Sequence, residues 1–360
     1  MSHTLLALDN SIIHDLLISL SRADIVRFQR DLENSLIEFS AGNEGKFQLN
    51  PDFINRPNGQ KTIFRTFTSP DAVGMKIIVT PAPVESPNGN TANPPLNGLL
   101  NAAEVTGFRT TLCALIPWTW RRHTENIVIF GTGKQGLWHT RLALALRGSE
   151  IKSVTIINRS VARAQSLVAQ VTEENQKYWK SSLDPSQPDY SKRLAAVLST
   201  ADAVFCTVGS TSPLFSFQEV LRGTRSRLPF ISAIGSWQSD MMELDPELLR
   251  YAAGRPDSYS PRGASGSIIV DDAQEFLVKS GEVMQSGLKA EQMLQVGEIL
   301  NWQQEKSGLE GQDRERLASW LADGFVVYEG VGVSVTDLAA GNAILEIAKD
   351  RNVGVSIANF

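Results

Sequence analysis

The chain has 360 residues, 42% hydrophobic and 20% charged, the balance of a globular protein long enough for two domains with separate cores. A net charge of −5 and a pI near 5.5 give no basis for holding nucleic acid or an anionic membrane. No apolar run reaches the roughly 18 residues of a membrane span, and the N-terminus lacks the basic and apolar regions of a secretory signal.

From about residue 11 to 41 the periodicity predicts helices, with Ile25, Phe28, Leu32, Leu36 and Phe39 along one face. Between 47 and 79 the pattern changes to short strands with turns at Arg56-Pro-Asn-Gly-Gln and Ser69-Pro-Asp. Residues 81–97 predict a loop, and 104–120 predict a helix. From 126 to about 235 strand and helix alternate as a parallel sheet requires, with strands over 127–130, 154–157, 203–207 and 230–234. The polar stretch 174–192 predicts an exposed loop. Further strands are expected over 267–270 and 325–328, the second preceded by a polar stretch at 302–316. A last helix over 337–349 is expected to start from a cap at Thr336. Cys113 and Cys206 are the two cysteines, both in apolar stretches, which predicts reduced core thiols and a cytoplasmic setting.

The expected fold is therefore α/β. A Rossmann-type doubly wound parallel sheet over 126–324 is inserted into a second, α+β domain made of 1–125 and 325–360. That second domain is assigned substrate binding and oligomerisation.

The run Asn126-Ile-Val-Ile-Phe breaks into Gly131-Thr132-Gly133-Lys134-Gln135-Gly136 and then into an apolar-periodic helix. A strand ending in this pattern delivers phosphate to a helix N-terminus. Gly131 makes the turn, Gly133 admits the pyrophosphate to the backbone, and Gly136 lets helix and strand pack closely. The next strand ends in Asn158-Arg159-Ser160. An acidic residue there would bind the ribose 2′-hydroxyl, whereas an arginine accommodates a 2′-phosphate. The expected cofactor is NADPH; the alternative for Arg159 is a solvated surface charge. Thr207 and Val208, after the strand at 203–206, and Gly235 are expected to line the cofactor, the alternative for the first two being a plain loop. No His, Cys or acidic cluster has metal-site spacing, so no metal is expected.

Several segments, in order, resemble the ornithine cyclodeaminase/μ-crystallin family over nearly the whole chain. They are Val73-Gly-Met-Lys76-Ile-Ile-Val79, Asn101-Ala-Ala-Glu-Val-Thr-Gly-Phe-Arg109, the glycine loop through His139, Asn158-Arg-Ser160, Ala233-Ile-Gly-Ser236 with Glu243-Leu-Asp245, Val270-Asp-Asp272 with Ser280-Gly-Glu282, and Gly330-Val-Gly-Val-Ser-Val-Thr-Asp337. The resemblance implies that Lys76 and Arg109 face the substrate. Arg109 can grip a carboxylate through paired N–H···O bonds, and Lys76 can stabilise developing charge or pass a proton. The alternatives are a strand lysine reaching solvent and a helix-surface arginine paired with Glu104 or Asp337. His139 is read as structural.

Three departures from the family pattern stand out. The segment Ile234-Gly-Ser-Trp237 carries tryptophan where cyclodeaminases carry an aspartate, which disfavours ornithine cyclisation and suits an aromatic pocket wall. Gln48-Leu-Asn-Pro-Asp52 lacks the usual substrate arginine, for which Arg65 is a substitute or else a solvent-facing strand residue. Residues 81–95 replace a hairpin that usually contributes to the dimer. The function expected from this resemblance is NADPH-dependent reduction of a C=N bond in a small, cyclic imine by a homodimer. The alternatives are a crystallin-like protein that binds NADPH and a small ligand without turnover, and an amino-acid dehydrogenase or cyclodeaminase of the same fold.

Overall fold

The computed structural model describes residues 4–70, 72–80, 102–174, 179–183, 185–221, 227–262, 266–304, 309 and 311–358. The loop expected over 81–97, and Asn101, lie outside the described residues. The chain divides into two compact units, Met1–Arg109 with Val333–Phe360, and Thr110–Gly332.

The first unit opens with strand β1 (Thr4–Ala7) and helices Asn10–Ile18 and Arg22–Ser40. Ser21 and Asp24 start the second helix as a capping box, each side chain accepting the other's backbone N–H. Its predicted face buries Ile25, Phe28, Leu32 and Leu36, while Phe39 in the last turn is half-buried. Phe28 meets Phe108 edge-on at 4.9 Å. Strands β2 (Asp52–Asn55), β3 (Lys61–Thr68) and β4 (Val73–Thr80) form an antiparallel sheet in that order. The register sets Ile63 opposite Ile78 and Arg65 opposite Lys76. Directly paired residues share a face, so this face is the buried one. The other face carries Ile54, Val73 and Met75, all exposed.

The second unit contains β5 (Asn126–Phe130), β6 (Ser153–Ile157), β7 (Trp179–Leu183), β8 (Ala203–Cys206), β9 (Phe230–Ala233), β10 (Ile268–Val270), β11 (Met293–Gln295) and β12 (Val326–Glu329). These eight form one parallel sheet in the order β11-β10-β12-β9-β8-β5-β6-β7, with helices between them. This is the doubly wound α/β architecture that the sequence predicts. Strands β8, β9, β10 and β12 are buried at every residue, as two covered faces require of a parallel sheet. One face packs Val128, Val204, Ile231, Ile268 and Val327 against Leu248, Leu249 and Ala252 of helix Pro246–Gly254. Each of these buried Val, Leu and Ile side chains contributes about 1.5–3 kcal/mol. Cys113 and Cys206 are free and buried.

Three expectations are corrected. The polar stretch 174–192 is not wholly loop, because it supplies β7, a strand that ends the sheet and pairs with β6 alone among the described strands. An end strand needs a neighbour's backbone but no two-sided apolar run. The polar stretch 302–316, to which no element was assigned from the sequence, leads into helix Gly311–Asp323, whose buried Leu317, Trp320 and Leu321 supply the helical spacing. The units divide at 109/110 and 332/333 rather than at 125/126 and 324/325. Helix Ala102–Thr119 continues into the second unit, and Val326–Glu329 is a central strand of its sheet. Lastly, Thr336 is not the cap. The final helix is Ser334–Asp350, and the Thr336 hydroxyl donates to the Val333 carbonyl at 2.7 Å from within its first turn. The chain closes with β13 (Val355–Ala358), antiparallel to β1. No helix among the described residues is long and apolar enough to cross a membrane.

Candidate functional site

In the second unit, β5 ends at Phe130 and the chain turns at Gly131 with φ +108°, in the region that favours glycine. The Gly131 N–H donates to the Ile157 carbonyl at 2.9 Å. A Cβ on Gly131 would lie 2.7 Å from both Thr207 Oγ1 and Val208 Cγ1, and one on Gly136 would lie 2.3 Å from the Gly131 carbonyl oxygen. A Cβ on Gly133 would meet nothing within 4 Å. Turn, close packing and open approach thus fall on the three glycines that the sequence pattern assigns to them. Gly133 caps helix Lys134–Arg147, whose first turn holds no acidic residue. Its N-terminus therefore presents backbone N–H groups and the positive end of the helix dipole. Lys134 is exposed there, and Thr132 and Gln135 are half-buried.

At the end of β6, Asn158 Nδ2 donates to the Ser160 carbonyl at 3.0 Å and folds the tip into a turn. Ser160 Oγ accepts the Arg163 N–H at 3.4 Å where helix Val161–Glu174 begins. Arg159 is exposed. At the end of β8, Thr207 Oγ1 donates to the Phe130 carbonyl at 2.7 Å, which joins this loop to the glycine turn. The Val208 and Gly235 N–H groups, after β8 and β9, both donate to the Glu243 carboxylate at 2.6 Å.

In the first unit, Arg65, Lys76 and Arg109 come together around Asp337. Lys76 Nζ donates to Asp337 Oδ1 at 3.0 Å. Arg109 Nε donates to the same oxygen at 2.8 Å, its Nη2 to Oδ2 at 3.3 Å and its Nη1 to Thr336 Oγ1 at 3.3 Å. All four charged residues are buried. Lys76 is therefore no solvent-reaching strand residue, and Arg109 is no helix-surface arginine. Arg65 shares the buried sheet face with Lys76 rather than facing solvent. Burial pulls the Lys76 ammonium down to about 8, with Asp337 pushing the other way. Burial alone would raise the Asp337 carboxyl, but Arg109 and Lys76 outweigh it and hold it below the ordinary aspartate value. Asp337 also lies in the first turn of its helix, where the dipole favours an anion.

The other residues singled out are placed in the second unit. His139 is fully buried, with Nδ1 donating to the Gln135 carbonyl at 2.8 Å and lying 3.0 Å from Thr111 Oγ1. Burial pulls its pKa down to about 4, so the ring is neutral at ordinary pH. Trp237 is half-buried and packs against the apolar core under the sheet. Sequence reasoning gave no role to a row of buried acids at the carboxyl edge of the sheet: Glu243, Asp271 and Glu282, which lie in the quoted family segments, and Glu329, which does not. Asp271 accepts the Val331 and Gly332 N–H groups at 3.1 and 2.6 Å. Glu282 accepts from the Ser236 hydroxyl, and Glu329 from Ser280 Oγ at 3.2 Å. Their signal was an acid inside an apolar pattern, as in Met242-Glu243-Leu244 and Val327-Tyr328-Glu329.

Sheet order and glycine turn define a doubly wound α/β protein of the Rossmann type. Residues 119–232 match the Shikimate / quinate 5-dehydrogenase family. An uncharacterised cyclodeaminase of Dictyostelium discoideum is 25% identical over 273 residues, covering 72% of this chain and 69% of that protein. The Delta(1)-pyrroline-2-carboxylate reductase of Colwellia psychrerythraea is 23% identical over 258 residues, covering 70% and 69%. The structure of the iminosuccinate reductase of Paracoccus denitrificans in complex with NAD+ superposes with a TM-score of 0.70 at 16% identity, covering 99% of each chain. The chain has the fold of the ornithine cyclodeaminase/μ-crystallin family, as its motifs anticipated.

Proposed function

We propose that the protein is an NADPH-dependent reductase of a C=N bond in a small cyclic imine, working as a cytoplasmic homodimer. The observation that carries this reading is the buried Lys76–Asp337–Arg109 cluster, two cations fixed by one carboxylate. Reduction of an imine adds a hydride to carbon and a proton to nitrogen. Lys76, fixed at its Nζ, would supply the proton and Arg109 would orient a carboxylate or other oxygen of the substrate, with Arg65 and Trp237 shaping the pocket. The cofactor would lie on the glycine turn 131–136, with its pyrophosphate at the helix N-terminus, its 2′-phosphate at Asn158-Arg159-Ser160, and Thr207, Val208 and Gly235 along its other half. A nicotinamide would supply the hydride. Two relatives reported above carry names of reductases that act on C=N compounds, and one of them was solved with NAD+.

The test is NADPH oxidation with five- and six-membered cyclic imines, with and without a carboxylate. Lys76→Met should lower kcat/KM by about a hundredfold or more while NADPH affinity stays within about twofold. A wild type that oxidises no NADPH with any imine overturns the enzymatic reading. It would favour binding without turnover, a reading that draws on the tight pairing of both cations with Asp337.

A further inference from the structure

We propose that Glu243 is a positioning residue of the cofactor site, a buried clip that sets the two loops after β8 and β9 to receive the nicotinamide half of the dinucleotide. This rests on the dinucleotide reading above and extends it to a residue outside the expected contact set.

The sheet order sets the direction in which a dinucleotide would lie. The glycine turn follows β5, and the strands run outward from β5 in two directions, to β6 and β7 on one side and to β8 and β9 on the other. A dinucleotide at this switch point has its pyrophosphate on the turn and one half on each side. The adenine half falls toward Asn158-Arg159-Ser160 after β6. The other half must then cross the loops that begin at Thr207 and Ile234.

Several bonds hold each of those two loops, among them Thr207 Oγ1 to the Phe130 carbonyl and the Ser236 hydroxyl to Glu282, but Glu243 is the side chain that bonds to both. Their backbone N–H groups converge on its carboxylate, Val208 on Oε1 at 2.6 Å and Ile234 and Gly235 on Oε2 at 3.0 and 2.6 Å. The clip is itself fixed. Met242 donates to the Ser210 carbonyl at 2.7 Å, the Glu243 carbonyl accepts the Leu214 N–H at 2.9 Å, and the Glu243 N–H donates to Glu282 at 3.3 Å. The loops also touch: a Cβ on Gly235 would lie 2.3 Å from the Val208 carbonyl oxygen and 2.7 Å from Glu243 Cδ. A carboxylate is acceptor-only and suits three donors, whereas an amide would turn its NH2 onto a backbone N–H. Burial pushes the Glu243 carboxyl up to about 8 against the pull of these donors, so the acceptor-only form prevails above that pH, where the binding comparison below is made.

The test separates the two halves of the cofactor. Binding of NADPH, of NADH and of adenosine 2′,5′-bisphosphate, which carries only the adenine half, is measured for the wild type, Glu243→Gln, Gly235→Ala and Glu329→Gln. Glu243→Gln should weaken the preferred dinucleotide about tenfold or more while leaving the adenine-half ligand within about twofold. Gly235→Ala pries the same loops apart with Glu243 retained and should repeat that selective loss, which keeps the test decisive if Glu243→Gln does not fold. Glu329→Gln removes a buried acid from the same cluster, one bonded to neither loop, and should change neither ligand. The proposal is overturned if Glu243→Gln and Gly235→Ala weaken both ligands alike or neither, or if Glu329→Gln shows the same selective loss. A wild type that binds neither dinucleotide overturns the cofactor reading instead. If NADH is the preferred dinucleotide, only the choice of NADPH falls, and ADP replaces the bisphosphate in the same comparison.

Discussion

Asp337 decides what Lys76 and Arg109 can do. A lysine and an arginine brought together in a buried unit repel each other, and the shared carboxylate turns that repulsion into a fixed geometry. Lys76 then titrates near 8, inside the working range of an acid catalyst. In the reductive direction the protonated form is the active one, so kcat/KM should hold level at low pH and fall as pH rises through about 8. Lys76→Arg should retain binding and move that fall beyond pH 10; an unshifted limb between pH 6 and 10 would remove Lys76 from proton transfer. Arg159 poses a separate question, since it is exposed and its role rests on charge alone. Arg159→Asp should weaken NADPH and narrow its advantage over NADH by about tenfold or more; an unchanged ratio of the two affinities would place Arg159 outside the site. Both cations of the cluster were legible from their motifs. The partner of Arg109 was legible only as one of two within the surface-arginine alternative, and that of Lys76 not at all, because Arg109 and Asp337 are 228 positions apart and no local pattern chooses between Glu104 and Asp337.

The strands explain why the sheet read so clearly while its rim did not. Strands buried on both faces must be continuous apolar runs, so β5, β6, β8 and β9 declared themselves, as did the glycine turn that follows the first. Strand β7 pairs with β6 alone among the described strands, and its sequence Trp179-Lys-Ser-Ser-Leu183 is no apolar run. The rim is different again, since its loops are tied by buried acids whose partners are backbone N–H groups and serines. These acids carry a consequence for stability. Burial raises Asp271 to about 7, Glu243 to about 8 and Glu329 well above its ordinary value. Each binds its proton more tightly folded than unfolded, so each contributes stability at low pH that is lost as pH rises from the unfolded value near 4 through the folded one. The window between pH 6.5 and 8 lies above the range where buried His139 acts in the opposite sense and below that of Lys76. There the thermal midpoint should therefore fall, each raised acid contributing up to about 1.4 kcal/mol per pH unit until its own folded value is passed. Glu329→Gln should flatten that slope. A midpoint that rises with pH across this window, or an equal slope in the variant, would contradict the assignment.

Taken whole, the chain was legible as a parallel sheet inserted into a second body. The boundaries were not, since helix Ala102–Thr119 serves both units and Val326–Glu329 completes a sheet whose other strands lie at least 30 residues upstream. The first unit also shows why its surface matters. Strand β4 pairs with β3 alone among the described residues, and the sheet's outer face exposes Val73, Met75 and Ile54, with Phe64, Ile77 and Val79 half-buried beside them. An eight-residue edge strand with an apolar outer face is an aggregation hazard unless another surface covers it. A second copy of the chain fits the expectation of a homodimer, each protomer giving about 800 Å² for a stable interface. Light scattering after size exclusion at micromolar concentration should give a dimer for the wild type. Met75→Glu places a charge in the middle of that face without touching the buried Lys76 side, and should yield a monomer with unchanged far-ultraviolet dichroism. A wild type that elutes as a monomer, or a Met75→Glu variant that remains dimeric, would show that the outer face of this sheet is not the dimer interface.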